Sequence, residues 1–339
     1  MKQYWEIHPP DAEIRPLRGE LFAAPRWAAL LAGTYGFDYH WLTDGEGRAY
    51  PLAVLDDEAG KRVSLFPFSD YIPLEPAARP GLMRALTDTL TARFPDHLLQ
   101  LKLAFPDRSV PELPPGWQLS RTAVGHRWGR TDAPPRATFG QKVRQAHRKG
   151  VYVRRRSCAE AAATFYRLYA QQRMERFGLL SQPPSYLNAL HRHYMTQDAG
   201  FYLEAVHQDA VIAAFVVLRC DDAYFHKYSA TAAAARQLRP NNLLYHQLQE
   251  DIRAGRAALL DFGLSGTGDN YRGLRDFKSA TGAGMFPVQY WTHVPEGYPM
   301  DQRRAFLELP KTLTQTLVAH RAPLPLREAV SERIYPFFA

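Results

Sequence analysis

The sequence predicts an α+β fold made of two related domains. A chain of 339 residues with 46% apolar residues is long enough to bury a large core, and its length favours about two domains. Predicted strands and helices recur in a similar order on both sides of a proline-rich stretch, TDAPPRA at residues 131–137, which is typical of an inter-domain hinge. We therefore expect two copies of one fold, each with a mostly antiparallel mixed sheet flanked by helices.

The N-terminal copy is predicted over residues 1–135. Its strands are short runs rich in β-branched and aromatic residues, and its helices carry an apolar stripe. In chain order the predicted elements are a helix around Trp27, strands at FDYHWLT, AYPLAVLD and RVSLFPF, a helix at LMRALTDTLTARF and a strand at LLQLKLAF.

The C-terminal copy is predicted over residues 136–300. Two helices precede three strand-like runs, FYLEAVH, AVIAAFVVLR and AYFHKYSA, whose short polar connections predict an antiparallel meander. A helix at LLYHQLQEDIRAG, a buried strand at ALLDFG, a short helix at YRGLRDFKSA and a strand at FPVQYWTHV follow. Residues 301–339 are expected to form a tail that packs back on the body.

Basic residues are concentrated in one segment, the basic stripe. The formal net charge is +8, from 42 basic and 34 acidic residues, and the stripe between Arg136 and Arg156 holds eight basic residues and no acidic one. We expect it to bind RNA or a phosphate-rich substrate, whereas the alternative is a solvated helix face. Its basic residues are Arg136, Lys142, Arg144, Arg148, Lys149, Arg154, Arg155 and Arg156.

The sequence favours a cytoplasmic protein that binds no metal. The longest apolar run, AVIAAFVVL, is too short to span a bilayer, and the first residues lack a signal-peptide core. Cys158 and Cys220 form neither a disulfide framework nor a metal-binding spacing. His191 and His193 would face different ways on one helix, and His246 lies alone on another.

The chain resembles a known family over most of its length, and five stretches carry this resemblance. They are LFPFSDYIPL, FGQKVRQAHRKGVYV, GLLSQPPSYLNAL, HKYSATAAAARQLRPNNLLYHQLQ and LLDFGLSGTGDNYRGLRDFKSATGA. The chain resembles the FemABX family of peptidoglycan aminoacyltransferases, which are tandem pairs of GNAT-like domains. The resemblance implies an enzyme that moves an amino acid from aminoacyl-tRNA to an amine on a cell-wall precursor, with its reaction centre in the C-terminal domain.

The resemblance assigns the reaction to Phe277 and Lys278, because the family keeps a Phe-Lys pair at this place. Aminolysis of an activated ester builds negative charge on the carbonyl oxygen, so a fixed cation beside that oxygen lowers the barrier. We expect Lys278 to be that cation, and Phe277 to hold it by packing and to exclude water. The alternative is a solvated lysine at a helix end.

Five further residues are expected to contact substrate. Asp261 ends a strand, where it can orient an ammonium group or cap the following turn. A helix that begins near Asn241 or Asn242 can hold a phosphate at its N-terminus. Tyr228 and Tyr186 belong to the resembling stretches. The lysine and the arginine of the nucleotide-sugar-binding members are missing from APRWAALLAGTYG and SQPPSY, which disfavours an ordinary peptidoglycan nucleotide precursor.

Two other classes of function stay open. An acyl-CoA-dependent N-acyltransferase would share the fold and the Phe-Lys pair, and it would be the one case with a cofactor. Its usual phosphate-binding loop would fall on residues 237–242, where Pro240 removes a backbone donor. A non-catalytic RNA-binding protein would account for the basic stripe alone.

Overall fold

The computed structural model describes residues 5–65, 67–73, 81–108 and 110–338. Two residues of the LFPFSDYIPL stretch, Phe66 and Leu74, lie outside the described residues. The predicted helices and strands occur in the predicted order, but the strand over residues 118–129 was not predicted. The first part of the chain forms β1 (Glu6–His8), β2 (Arg15–Pro16), α1 (Pro25–Tyr35), β3 (Asp38–Thr43), β4 (Arg48–Leu55), β5 (Arg62–Leu65), β6 (Ile72–Pro73), α2 (Leu82–Arg93), β7 (Leu98–Ala104) and β8 (Gln118–Gly129).

The second part repeats this order and ends in two further helices. Its elements are α3 (Ala137–Arg148), β9 (Tyr152–Arg156), α4 (Ala159–Phe177), α5 (Pro184–Leu190), β10 (Gly200–His207), β11 (Ala210–Cys220), β12 (Ala223–Thr231), α6 (Pro240–Arg253), β13 (Leu259–Gly266), α7 (Arg272–Ala280), β14 (Gly284–His293), α8 (Met300–Ala319) and α9 (Leu324–Ile334). The meander β10–β11–β12 is antiparallel, as the sequence predicts.

The strands join into one continuous sheet rather than two separate ones. Its main path runs β1-β3-β4-β5-β7-β14-β8-β13-β12-β11-β10-β9, so five strands lie on each side of the β14–β8 pair. β14 comes late in the chain but pairs with β7, and β8 comes early but pairs with β13. The two copies are therefore present, but each exchanges a strand with the other, which corrects the expectation that each copy completes its own sheet.

Each half of the sheet contains one parallel pair that spreads open. β12 pairs with β13 only through Ala223–Phe225 and Leu259–Asp261, and β5 pairs with β7 only through Arg62–Ser64 and Leu98–Gln100. In the N-terminal half, β6 lies against the end of β7 and fills the opening. In the C-terminal half the opening becomes a cavity.

The two faces of the sheet are covered by different helices. Along β11, Ala214, Val216 and Leu218 face the core that includes α1, α2, α4 and α5. The alternating residues Phe215 and Val217 face the core that includes α3 and α6. Burial on both faces explains why this strand is a continuous apolar run instead of an alternating one.

The linking stretch and the tail are both anchored to the C-terminal half. The carbonyl of Ala133 accepts a hydrogen bond from the indole of Trp128 at 3.0 Å, and the amide of Arg136 donates to the carbonyl of Ala280 at 2.9 Å. In the tail, the Ser331 hydroxyl donates to the carbonyl of Ser181 at 2.6 Å. The TDAPPRA stretch therefore packs against the domain that follows it.

A buried ionic cluster joins the two halves at the central strands. Arg127 on β8 donates from Nε to the Asp261 carboxylate at 2.9 Å and from its two terminal nitrogens to Glu20 at 2.9 and 2.7 Å. The Tyr71 hydroxyl also donates to Asp261, whose residue surface is only 1% exposed. Because Asp261 is buried, its carboxylate depends on the Arg127 guanidinium for compensation, whereas Glu20 is partly exposed.

We predict that Arg127→Met lowers the free energy of unfolding by about 3 kcal/mol or more, because it removes the guanidinium that pairs with the buried Asp261 carboxylate. Urea denaturation followed by circular dichroism measures this loss. Arg84→Met is the matched control, since Arg84 is exposed on α2 and lies 3.8 Å from Asp88. A loss no larger than that of the control would show that the cluster does not hold the halves together.

Candidate active site

A cavity of about 730 Å³ lies where β12 and β13 spread apart. Its walls come from these two strands and from α4, α6 and α7, and one residue of the N-terminal half, Asp70, also reaches it. Both members of the predicted Phe-Lys pair, Phe277 and Lys278, line it. A deep cleft with charged groups and aromatic walls is the usual form of a small-molecule or reaction site.

Lys278 is buried at the cavity wall, with only 3% of its surface exposed. Its Nζ donates to the carbonyls of Gly263 at 3.0 Å and Leu264 at 2.8 Å. The alternative of a solvated lysine at a helix end is therefore wrong. Burial lowers the pKa of Lys278 to about 8, against the opposing effect of Asp261 and Asp70, so the ammonium form still predominates at neutral pH.

The two carbonyls are available to Lys278 because β13 is irregular at this place. The register of β13 with β8 shifts between Asp261 and Leu264, and Gly263 has a positive φ of 68°. A Cβ on Gly263 would stand 2.9 Å from Oδ2 of Asp70, so both the backbone angle and the close approach require glycine. The Gly263 amide donates to Asp261 at 2.7 Å, which fixes this turn.

Aromatic rings form one side of the cavity. Phe277 packs on Tyr245 with ring centroids 5.6 Å apart, and Tyr245 stacks on Phe262 at 4.8 Å. Phe215 and His226 complete this group, with ring centroids 4.3 Å apart. Phe277 thus belongs to an apolar wall of the cavity that Lys278 also lines.

Asp70 is a site residue that the sequence did not reveal. Among the described residues that line the cavity, it is the only one with a carboxylate. Its Oδ1 lies 2.7 Å from Nζ of Lys227, a lysine that also donates to the carbonyl of Phe68 at 2.9 Å. The one available signal was the LFPFSDYIPL stretch, which carries the resemblance in the N-terminal domain but gave no role to its aspartate.

Not all the predicted substrate residues reach the cavity. Tyr228 lines it, and its hydroxyl lies 3.0 Å from that of Tyr186, which is fully buried behind it. Asn241 lines it too, while Asn242 is buried away from it. Asp261 does not line it and instead serves Arg127, Tyr71 and the turn at Gly263.

The first turn of α6 differs from the sequence prediction. The helix begins at Pro240, so neither asparagine is its N-cap, and no side chain caps it. Oδ1 of Asn241 accepts a hydrogen bond from Thr231 at 2.9 Å instead. Proline at the first position leaves this helix one amide fewer for a phosphate.

The basic stripe separates into two parts, neither of which lines the cavity. On β9, Arg154 pairs with buried Glu204 at 2.5 Å, Arg155 pairs with buried Asp251, and Arg156 lies 3.7 Å from Glu160. These arginines therefore neutralise carboxylates of their own domain. On α3, the exposed residues Lys142, Arg144 and Arg148 have no ion pair within the described structure, while Lys149 donates to the carbonyl of Gln237 at 3.2 Å.

Two further arginines, Arg173 and Arg176 of α4, line the cavity beside Phe177. Burial lowers the pKa of Arg176, and the nearby Arg236 lowers it further. The guanidinium groups of Arg173 and Arg176 lie 5.9 and 5.1 Å from the centroid of the Phe177 ring, and two cations at one wall favour an anionic ligand. These residues lie outside the basic stripe, which is why the charge pattern of the sequence did not single them out.

No group of three or more potential metal ligands occurs in the part of the chain that is described. The same part contains no helix that is long and apolar enough to cross a membrane.

Comparison with known proteins defines the class of this fold and site. Residues 135–279 match the family model described as Acetyltransferase (GNAT) domain. This segment contains the spread strands, the cavity walls and Lys278. The chain is therefore an acyltransferase with a GNAT domain.

Solved structures extend the likeness to most of the chain. The crystal structure of FemX superposes with a TM-score of 0.60 at 12% identity and covers 82% of this chain and 92% of its own. L-PGS from Bacillus licheniformis gives a TM-score of 0.52 at 12% identity and covers 93% of this chain and 98% of its own. The C-terminal domain of a putative lysylphosphatidylglycerol synthetase from Agrobacterium fabrum gives 0.52 at 12% identity, with coverages of 83% and 90%.

These likenesses show that the chain has the fold of FemX, so the predicted FemABX-like architecture is confirmed. A search of curated proteins found no matching sequence.

We predict that Lys278 titrates near pH 8 and that Asp70→Asn lowers its pKa further, because the carboxylate favours the ammonium form. NMR of the lysine side chains, with Lys278→Met to assign the signal, measures both values. Asp198→Asn should leave the titration unchanged, since the Asp198 side chain is 97% exposed and lies away from this cavity. An ordinary lysine pKa in the wild type would contradict the buried position.

Proposed function

We propose that the chain transfers an aminoacyl group from aminoacyl-tRNA to an amine of a cell-wall precursor or a similar acceptor. In this proposal the ester carbonyl lies beside Lys278, and the acceptor amine lies beside Asp70. The observation that carries it is the buried, charged Lys278 at a cavity wall where a single carboxylate, among the described lining residues, stands nearby.

Lys278 has the donor that the reaction needs. An ammonium group has three N–H donors, and the carbonyls of Gly263 and Leu264 accept two of them. The third donor remains for the carbonyl oxygen of the substrate. Because Nζ is already held and dehydrated, it stabilises the developing oxyanion without reorganising.

Asp70 supplies a place for the acceptor. Its Oδ1 is held by Lys227, while its Oδ2 faces Gly263, the residue whose carbonyl binds Lys278. The carboxylate can therefore orient an incoming amine toward a carbonyl at Lys278 and take the proton that the amine loses on attack. The proton then passes to the leaving ribose oxygen, which departs as a hydroxyl group when the ester bond breaks.

The aromatic wall protects the ester from water. Phe215, Tyr245, Phe262 and Phe277 occupy the side of the cavity next to Lys278. Excluding water favours aminolysis over hydrolysis of the activated ester and strengthens the electrostatic effect of Lys278.

Two features favour a tRNA donor. The exposed cations of α3 and the arginines of α4 give the GNAT domain a positive surface, which suits a polyanion. In addition, Pro240 weakens the helix terminus at which an acyl-CoA pyrophosphate would bind. We therefore assign tRNA binding to Lys142, Arg144 and Arg148 rather than to the three arginines of β9.

The acceptor carries a free amine, and we infer that a nucleotide does not carry that amine. The cations that nucleotide-sugar-binding family members place after the N-terminal Trp helix and before the tyrosine equivalent to Tyr186 are missing here. The fold neighbours named for lysylphosphatidylglycerol synthesis add the possibility of a lipid-linked product to test.

Acyl-CoA is the alternative donor, and two observations favour it. The family match is to an acetyltransferase domain, and Asn241 in the first turn of α6 lines the cavity. The protein and an amine acceptor are incubated either with radiolabelled acetyl-CoA or with tRNA charged with one radiolabelled amino acid at a time. The label that is found on the acceptor identifies the donor.

We predict that Lys278→Met lowers the single-turnover rate of transfer by about a hundredfold or more, or on the order of 3 kcal/mol, with little change in donor affinity. Lys278→Arg should recover part of the rate, because it keeps the charge but spreads it over a larger group. The wild-type rate should fall as pH rises through about 8, because Lys278 then loses its proton.

Lys311→Met is the matched control, since Lys311 is an exposed lysine on α8. Equal rates for Lys278→Met and the wild type at saturating donor and acceptor would remove Lys278 from the mechanism. Melting temperatures of all variants separate a loss of rate from a loss of fold.

We predict that replacing Lys142, Arg144 and Arg148 together with Gln weakens tRNA binding and flattens its salt dependence by about one unit of slope for each lost phosphate contact. Filter binding over a range of salt concentrations measures both effects. The control replaces exposed Arg15, Arg84 and Arg93 of the N-terminal half, which removes the same charge. Equal losses in the two triple variants would mean that only net charge matters.

A further inference from the structure

The imidazole of His226 is a polar group at the cavity wall that has no role in the transfer proposed above. This residue lies on β12 and lines the cavity together with Lys278. Its Nδ1 lies 2.9 Å from the hydroxyl of Tyr245, while its buried Nε2 has no hydrogen-bond partner in the described structure. A buried nitrogen without a partner calls for an explanation, because leaving it unsatisfied costs stability.

Tyr245 determines which nitrogen of His226 carries the proton. Burial raises the pKa of Tyr245, so its hydroxyl keeps its hydrogen, and His226 is its only partner among the described residues. If Tyr245 donates to Nδ1, the hydroxyl hydrogen is satisfied and Nε2 carries the ring proton. The opposite tautomer would leave both the hydroxyl hydrogen and Nε2 without partners, so the first arrangement is favoured.

The imidazole is neutral over the pH range in which proteins work. Burial lowers the pKa of His226 to about 3, and the positive charge of Lys278 is the next largest cause. His226 therefore serves neither as a cation nor as a base that titrates near neutrality. What it offers is one fixed N–H donor at the wall that also holds Lys278.

We propose that Nε2–H of His226 donates a second hydrogen bond to the acyl oxygen that Lys278 stabilises, and that Tyr245 positions it. The inference rests on the proposed acyl transfer at this cavity. When the amine attacks, a C–N bond forms and the carbonyl electron pair moves onto oxygen, where Lys278 and His226 hold it. The carbonyl then reforms, the bond to the leaving oxygen breaks, and that oxygen departs with the proton that the amine gave to Asp70.

The tautomer is measured first, because that test needs no substrate. In protein with 15N-labelled histidine, NMR of the imidazole nitrogens should show Nε2 protonated and Nδ1 unprotonated from pH 5.5 to 8.5, with His226→Phe assigning the signal. Tyr245→Phe should weaken this preference. A proton on Nδ1, or a titration near pH 6.5, would overturn the proposal.

The kinetic test uses the donor and acceptor pair that supports transfer in the label experiment. His226→Phe keeps a flat ring but removes the donor, so we expect the single-turnover rate to fall by about a hundredfold, by an equal factor at every pH. His226→Gln, which retains an N–H donor, should recover part of this loss, and Tyr245→Phe should lose less than His226→Phe. His246→Phe is the control, since His246 lies on α6 outside the cavity.

The outcomes separate this inference from the proposed function. If Lys278→Met slows transfer and His226→Phe does not, the role of His226 is overturned and the proposed function stands. If neither variant slows transfer, the proposed function fails as well. If His226→Phe removes a limb of the pH profile near 6.5, His226 is a base and not a fixed donor. If His226→Phe does not fold, the tautomer and the rate of His226→Gln decide.

Discussion

The pairing of β8 with β14 is the interaction on which the rest of the structure depends. It runs from Arg127 opposite Gly284 to Gln118 opposite Thr292, in the middle of the continuous sheet. Each of these strands also completes the sheet of the other half, so without the pair both β7 and β13 would become open edges. The chain therefore behaves as two copies of one fold that are complete only together.

This pairing also sets the geometry of the cavity. Arg127 on β8 holds Asp261, and Asp261 in turn holds the amide of Gly263 at the irregular point of β13. The irregularity turns two carbonyls toward Lys278, which is how a buried ammonium group finds partners. The sequence predicts that Asp261 contacts substrate. In the structure Asp261 does not line the cavity, and its hydrogen bond to Gly263 supports the turn whose carbonyls bind Lys278.

The sequence predicted most of the fold and one centre of the site, for reasons that are local. Periodicity over short windows gives strands and helices, and the Phe-Lys pair is a contiguous motif. Strand exchange, Asp70 and the link between His226 and Tyr245 depend on contacts between distant parts of the chain, which no window contains. The ion pairs of the basic stripe could not be predicted for the same reason, because Glu204 and Asp251 neutralise Arg154 and Arg155 from other elements.

The difference between the two halves explains how the cavity of the C-terminal half gains a carboxylate. In the N-terminal half, residues 67–73 follow β5 and end in β6, which pairs with the end of β7. Lys102 on β7 donates to the carbonyl of Ser69 in this segment at 2.5 Å. Burial lowers the pKa of Lys102 to about 8, a value like that of Lys278, but Lys102 is not among the residues that line the cavity of the C-terminal half. The filling segment continues to Asp70, which projects into the C-terminal cavity and pairs with Lys227. The segment that fills the opening in the N-terminal half thus supplies Asp70 to the cavity in the C-terminal half. The candidate site therefore depends on the difference between the two copies.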